Sequence, residues 1–332
     1  MKRRFTAAIL ALITVASMSV QASAAEITLR YAELNPDGHI LDNCADHFAE
    51  LVAEKSDGRI EIQVFPGSEL GDEMSAYQAI MKGDGEIDIF RGNANAMADF
   101  GIQKLSLLGL PFLFEGRTHL WNVLNSDIGE ELLKEPQEVG SGMVGLFYMD
   151  EGSRNFCTVA AKPIETVKDF AGLKLRAPTI QMEETIAALG AKVMRFSFTE
   201  LRSAFLTGAV DGADQPHSGY MYNKFYEVAP NYTLTGHTYS PSIILISEKV
   251  WDSLSKEDQD ILMEAGKEAE VYNKEHIEEE ETALLEEIRA VGANVIEIED
   301  LAPFVEATAA VAEKYTKTDA LKTLYDKIVS MK

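Results

Sequence analysis

Three arginines are the residues of this sequence best suited to chemistry. Arg91, Arg154 and Arg176 each stand at or beside the end of an apolar stretch that reads as a β-strand, over 87–90, 156–160 and 173–176. In an open α/β sheet that edge is where ligands bind. A guanidinium offers a planar fork of donors that matches a carboxylate, and dry surroundings strengthen the pairing. For any one such arginine, a structural ion pair is the competing reading. Three at equivalent places, out of nine arginines beyond residue 24, point to an anion site. The chain has 30 Lys+Arg against 54 Asp+Glu, a net charge of −24. Capturing an anion against that field needs a local positive focus.

Other chemistries find no support. Gly140-Ser141-Gly142-Met143-Val144-Gly145 matches the dinucleotide fingerprint G-x-G-x-x-G. A helix precedes it and an apolar strand follows, the reverse of the order that presents a helix N-terminus to a pyrophosphate, so it reads as a helix-to-strand turn. The sequence contains no phosphate-binding loop, H-E-x-x-H, calcium loop or G-x-S-x-G. Its six histidines are scattered without metal-ligand spacing, and nothing resembles an activated nucleophile with its base. No cofactor and no metal are expected. The acidity excludes nucleic acid and anionic lipid surfaces as partners and favours a soluble monomer.

The arginines need a frame. A chain of 332 residues, 46% hydrophobic, is long enough for two lobes. Ile27, Leu29 and Tyr31 alternate as a strand, and Asn35-Pro36-Asp37-Gly38 turns into a helix with Ile40, Cys44, Phe48 and Val52 on one face. A second strand follows over 59–65, then a helix near 72–82 and a strand at 87–90. That β-α-β-α-β order predicts a mostly parallel sheet with crossover helices. From Ser255 to Val291 helical spacing continues unbroken, opened by Ser255 with Asp258 and closed by Gly292. Such a helix extends on the order of 50 Å and should run along both lobes. Within it, Glu278-Glu279-Glu280-Glu281 reads as a solvated face. No flexible linker is visible, so strands should join the lobes.

Lys2-Arg3-Arg4, an apolar run over 5–20 and Ala22-Ser23-Ala24 read as an export leader spanning residues 1–24. Its removal takes away three basic residues and no acid, leaving −27. No later run is long enough to span a membrane, and no cysteine sits at the cleavage site to carry a lipid. A periplasmic location is expected. That compartment permits a Cys44–Cys157 disulfide, but two small semi-buried hydrophobes is the preferred reading of the pair.

Ala171-Gly172-Leu173-Lys174-Leu175-Arg176-Ala177-Pro178 resembles the G-L-K-[IL]-R-x-P motif of substrate-binding proteins of tripartite ATP-independent periplasmic (TRAP) transporters. Thr199-Glu200-Leu201 and 204–212 resemble the next block of that family, and 65–72, 110–114 and 224–228 fit as well, in order along nearly the whole chain. The resemblance implies an α/β, two-lobed periplasmic binding protein fold with a long helix shared by both lobes. Lobe I would comprise 25–150 and 241–280, and lobe II 151–240 and 281–332. By the same resemblance Arg176 binds the substrate carboxylate and Arg154 is the second cation. Gln215 stands where the family has a substrate-contacting Asn and is one methylene longer.

The stretches 87–94, 152–156 and 232–237 resemble the hexuronate-binding branch, which would aim Arg91 and Asn93 into the cleft from the first lobe. Glu33 and His39, in the first βα loop, are further candidates, with a loop-stabilising role as the alternative. Two positions depart from the pattern. Pro216-His217-Ser218 lacks the usual aromatic, and Arg195 stands where many members have Pro. The expected function is capture of a small organic acid, a hexuronate or related sugar acid, for a TRAP permease. The alternatives are a C4-dicarboxylate, an aromatic acid or a sulfonate on the same scaffold, a sensor subunit, or a periplasmic enzyme acting on a sugar acid.

Overall fold

β1 (Ile27–Ala32) pairs in parallel with β2 (Ile60–Phe65) on one side and β3 (Ile89–Asn93) on the other. The crossovers are α1 (Ile40–Lys55), which buries Ile40, Leu41, Cys44, Phe48 and Val52 on one face, and α2 (Glu73–Lys82), capped by the Asp72 carboxylate. The computed structural model describes residues 25–239 and 241–332, so the expected leader lies outside the described residues. Two further strands, β4 (Met143–Met149) and β10 (Ser242–Ser247), complete the first sheet in the order β2-β1-β3-β10-β4.

The sheet is mixed rather than mostly parallel. β10 is antiparallel to both neighbours because the chain re-enters the first lobe at the edge where β3 and β4 leave it, pairing Ser242 with Asn93 and Met149. The second sheet repeats the device. Its order is β11 (Asn294–Glu297), β9 (Asn231–Thr238), β5 (Arg154–Thr158), β8 (Gly212–Gln215), β6 (Lys174–Ala177) and β7 (Lys192–Arg195). Here β5, the strand that enters from the first lobe, runs against β8 and β9.

The chain passes between the lobes at residues 150–153, between β9 and β10, along the helix Lys256–Ala290, and again between the helices Ala302–Tyr315 and Asp319–Val329. That helix buries Leu262, Ala265, Ala269 and Ile277 in the core of the first lobe and Ile288 in that of the second. Gly140 and Gly142, both at positive φ, turn the chain from the helix Asp127–Glu138 into β4. Cys44 and Cys157 are free and buried, in the cores of different lobes.

Two further expectations need correction. The acidic run is not all solvated: Glu281 is largely buried, pairs with Arg117 and accepts from the Ser153 amide at 3.2 Å. The chain end does not stay with lobe II. Helix Asp319–Val329 returns to the first lobe, where Leu324 and Ile328 join the core around Trp121 and the Ile328 carbonyl meets His119 Nε2 at 2.8 Å. An amphipathic helix needs an apolar groove, and the groove beside Trp121 belongs to the first lobe.

Candidate ligand-binding site

The cavity between the lobes is built from strand ends. β3 supplies Arg91 and Asn93, the passage after β4 supplies Glu151, β5 opens with Arg154, β6 supplies Arg176 and β8 ends in Gln215. All six are buried and all line the cavity. The edge is rich in donors and acceptors because β1, β3 and β4 end on it from one lobe, and β6 and β8 from the other.

The three arginines differ in what holds them. Arg91 Nε donates to Glu33 Oε2 at 2.8 Å and to Oε1 at 3.1 Å, and its Nη1 donates to Ser242 Oγ at 3.2 Å. Arg154 Nε donates to Asp214 Oδ2 at 2.5 Å and Nη2 to the Asp214 carbonyl at 3.1 Å. Burial works against both guanidinium charges, but the carboxylates beside them outweigh it and raise both pKa values. Among the described residues, Arg176 is in no ion pair. Its Nε donates to the Phe196 carbonyl at 3.0 Å, which aims the group without neutralising it. Burial lowers its pKa to about 10 against the pull of Glu73 and Asp214, with Arg154 adding to the fall, so it keeps its charge at neutral pH.

Glu33 and His39 do not line the cavity. The Glu33 carboxylate accepts from the Asn35 amide at 2.8 Å and from Asn35 Nδ2 at 2.9 Å while it holds Arg91, which makes it a positioning residue. His39 caps α1, its Nδ1 accepting from the Leu41 amide at 3.2 Å. Its ring meets Tyr222 of the other lobe edge-on at 5.1 Å. Burial, then Arg91, lowers its pKa to about 3, so the ring stays neutral. Asn93 Nδ2 donates to Glu151, and Asn93 Oδ1 accepts from the Asn95 amide at 3.2 Å. Gln215 Nε2 is buried and has no partner among the described residues.

A match to the model of bacterial extracellular solute-binding proteins, family 7, covers residues 31–319. The chain belongs to that family. This family 7 protein is 31% identical to the sialic acid-binding periplasmic protein SiaP of Vibrio cholerae over 305 residues, 89% of this chain and 91% of that one. Two solved TRAP periplasmic solute-binding proteins, each 30% identical, share its architecture. One, from Bradyrhizobium sp. BTAi1 in complex with galacturonate, has a TM-score of 0.87 over 91% of this chain and 99% of its own. The other, from Roseobacter denitrificans with bound glucuronate, has a TM-score of 0.86 over 92% and 100%. The family 7 chain is thus a TRAP solute-binding protein, a component of transport rather than a class defined by catalysis.

Sequence reasoning missed the carboxylates of the family 7 cavity. Glu73, first residue of α2, faces Arg176 from the other lobe. Burial raises its pKa against the pull of Arg176, Arg91 and Arg154. Glu151 stands between Arg91 and Arg154, 3.9 Å from one and 3.5 Å from the other. Asp214 sits behind Arg154, and His237 Nε2 lies 3.7 Å from its Oδ2. Although burial acts to raise the Asp214 pKa, Arg154 and His237 hold it well below the usual carboxylate range. The available signal was position: Glu73 follows the N-cap Asp72, and Glu151 follows the end of a strand three residues before Arg154.

Proposed function

We propose that this protein is a periplasmic receptor for a sugar acid, a hexuronate or a close relative of one, which it delivers to a TRAP permease. The observation that carries the reading is Arg176: a buried, charged guanidinium at an interlobe cavity, in no ion pair among the described residues. A buried charge without a partner costs several kcal/mol, and a ligand carboxylate removes that cost. Arg91 and Arg154, already paired, would donate from the cavity wall to hydroxyls, as would the free amide of Gln215. Glu73 and Glu151 would accept from hydroxyls. A dicarboxylate would bring its second charge against these two acids, so the cavity favours one carboxylate with several hydroxyls. Galacturonate and glucuronate bound to similar proteins support the same choice.

A ligand held by Arg176 from one lobe and Glu73 from the other favours the closed arrangement by population shift. The test is a thermal-shift and calorimetric screen of organic acids. A ligand at about 100 times its dissociation constant stabilises by ~2.7 kcal/mol. Glucuronate or galacturonate should raise the melting temperature and be recovered unchanged, and Arg176→Ala should abolish the effect while the protein stays folded. Wild-type affinity in Arg176→Ala, or a response confined to dicarboxylates, would reject the proposal.

A further inference from the structure

The cavity has a second chamber. Arg176, Glu73 and Pro178 line both, so Arg176 stands at the junction. The inner chamber encloses about 60 Å³ and the outer one about 230 Å³. Because Arg176 borders both, a ligand whose carboxylate meets it in the inner chamber has an open way for a substituent into the outer one.

The walls of the outer chamber define what it would take. Tyr77, Phe100 and Phe196 present aromatic surface, with the Tyr77 and Phe100 rings 4.4 Å apart. Asp99 Oδ1 accepts from the Ile180 amide of the other lobe at 3.2 Å, so the chamber is bounded by both lobes when they touch. Its charged groups are Asp72, Glu73, Asp99 and Glu200 against Arg176 and Arg195, and Arg195 is paired with Glu183. A second carboxylate would find no free cation there. Aromatic faces with acidic acceptors suit an uncharged sugar ring, whose C–H face packs on the rings while its hydroxyls donate outward.

Resting on the receptor reading above, we propose that the outer chamber is a subsite for an uncharged substituent, up to a second sugar ring, carried by the sugar acid that Arg176 holds. Calorimetry with 4-O-methylglucuronate, cellobionate and digalacturonate beside glucuronate and galacturonate tests it. At least one of the two acids with a neutral extension should bind within about tenfold of the better monosaccharide acid, and digalacturonate more weakly. Met74 lines only the outer chamber and is exposed, so Met74→Trp should fold. It should weaken the extended acid by more than about tenfold and leave the monosaccharide acid within about threefold. Monosaccharide binding with both neutral extended acids about a hundredfold weaker would overturn the subsite, as would an equal effect of Met74→Trp on both classes. Digalacturonate binding as tightly as the neutral extended acids would overturn its uncharged character. Failure of every acid, short or extended, would overturn the receptor reading itself.

Discussion

Arg154 and Arg176 share a cavity but not a role in stability. Arg154 is bonded to Asp214, which is wholly buried, so Arg154→Ala leaves a carboxylate without its partner. Breaking a buried pair from one side costs about 3–5 kcal/mol. Arg176 has no such partner among the described residues, and its removal relieves a desolvated charge. The ligand-free Arg154→Ala protein should therefore melt well below wild type, and Arg176→Ala at or above it, while both lose the response to sugar acid. Equal melting temperatures for the two variants would show that the Asp214 bond contributes nothing. The contrast also separates what the sequence displayed from what it hid. The G-L-K-L-R-A-P block marked Arg176, and the strand-end position marked Arg91 and Arg154. Nothing in their spacing indicated that two of the three are already neutralised, because Glu33 and Asp214 lie about sixty residues from the arginines they hold.

The elements that carry these residues meet at the passage 150–153. The Asp150 amide donates to Asn273 Oδ1 at 2.7 Å and Asn273 Nδ2 donates back to the Asp150 carbonyl at 3.1 Å, tying the passage to the long helix. Arg117 Nε donates to Asp150 Oδ2 at 2.6 Å, and Arg117 also pairs with Glu281. Gly152 is at φ +89°, and a methyl group there would collide with the Glu281 carboxylate. Gly152→Ala should lower stability by about 1 kcal/mol or more through the backbone alone and displace Glu281 from Ser153. A melting curve with and without ligand reads both effects, and an unchanged melt would show that the passage yields freely. The long helix was legible as a helix of the right length. That Glu281 leaves the solvent for this junction was not, since its neighbours in sequence are equally acidic and only the rotation of the helix against residues 150–153 selects it.

At the scale of the whole molecule, charge sets the response to pH. Burial raises the pKa values of Glu270 and Glu281 to about 7, with Asp150 adding to the effect at Glu281. Between about pH 4.5 and 7 these two groups therefore hold protons in the folded protein that the unfolded chain has released, and their contribution to stability falls as pH rises through that window. Asp214 acts in the opposite sense. Its depressed pKa contributes stability above about pH 4 that is lost as pH falls further. The buried rings of His39 and His217, whose pKa values burial lowers to about 3 and about 4, act against that fall below about pH 6.5, where the unfolded imidazoles take up protons, so thermal stability should peak near about pH 6.5 and decline towards pH 8. Glu270→Gln keeps an acceptor for the Tyr148 amide and should flatten the decline, melting higher than wild type at pH 8 and equally at pH 4.5. A decline of unchanged steepness would remove Glu270 from the account.

What the sequence by itself determined is local: strands that alternate, helices with one apolar face, the caps that begin them, and a guanidinium at the end of a strand. These follow from periodicities of two and 3.6 residues and from side-chain chemistry, which act over a few neighbours. The tertiary structure alone decided that β10 runs against β3 and β4, that helix Asp319–Val329 returns to the first lobe, and that Arg176 faces Glu73 across the cavity with no ion pair among the described residues. Each depends on which surfaces meet across the two lobes. Burial and electrostatics settle that choice over the whole chain at once, so no window of sequence contains it.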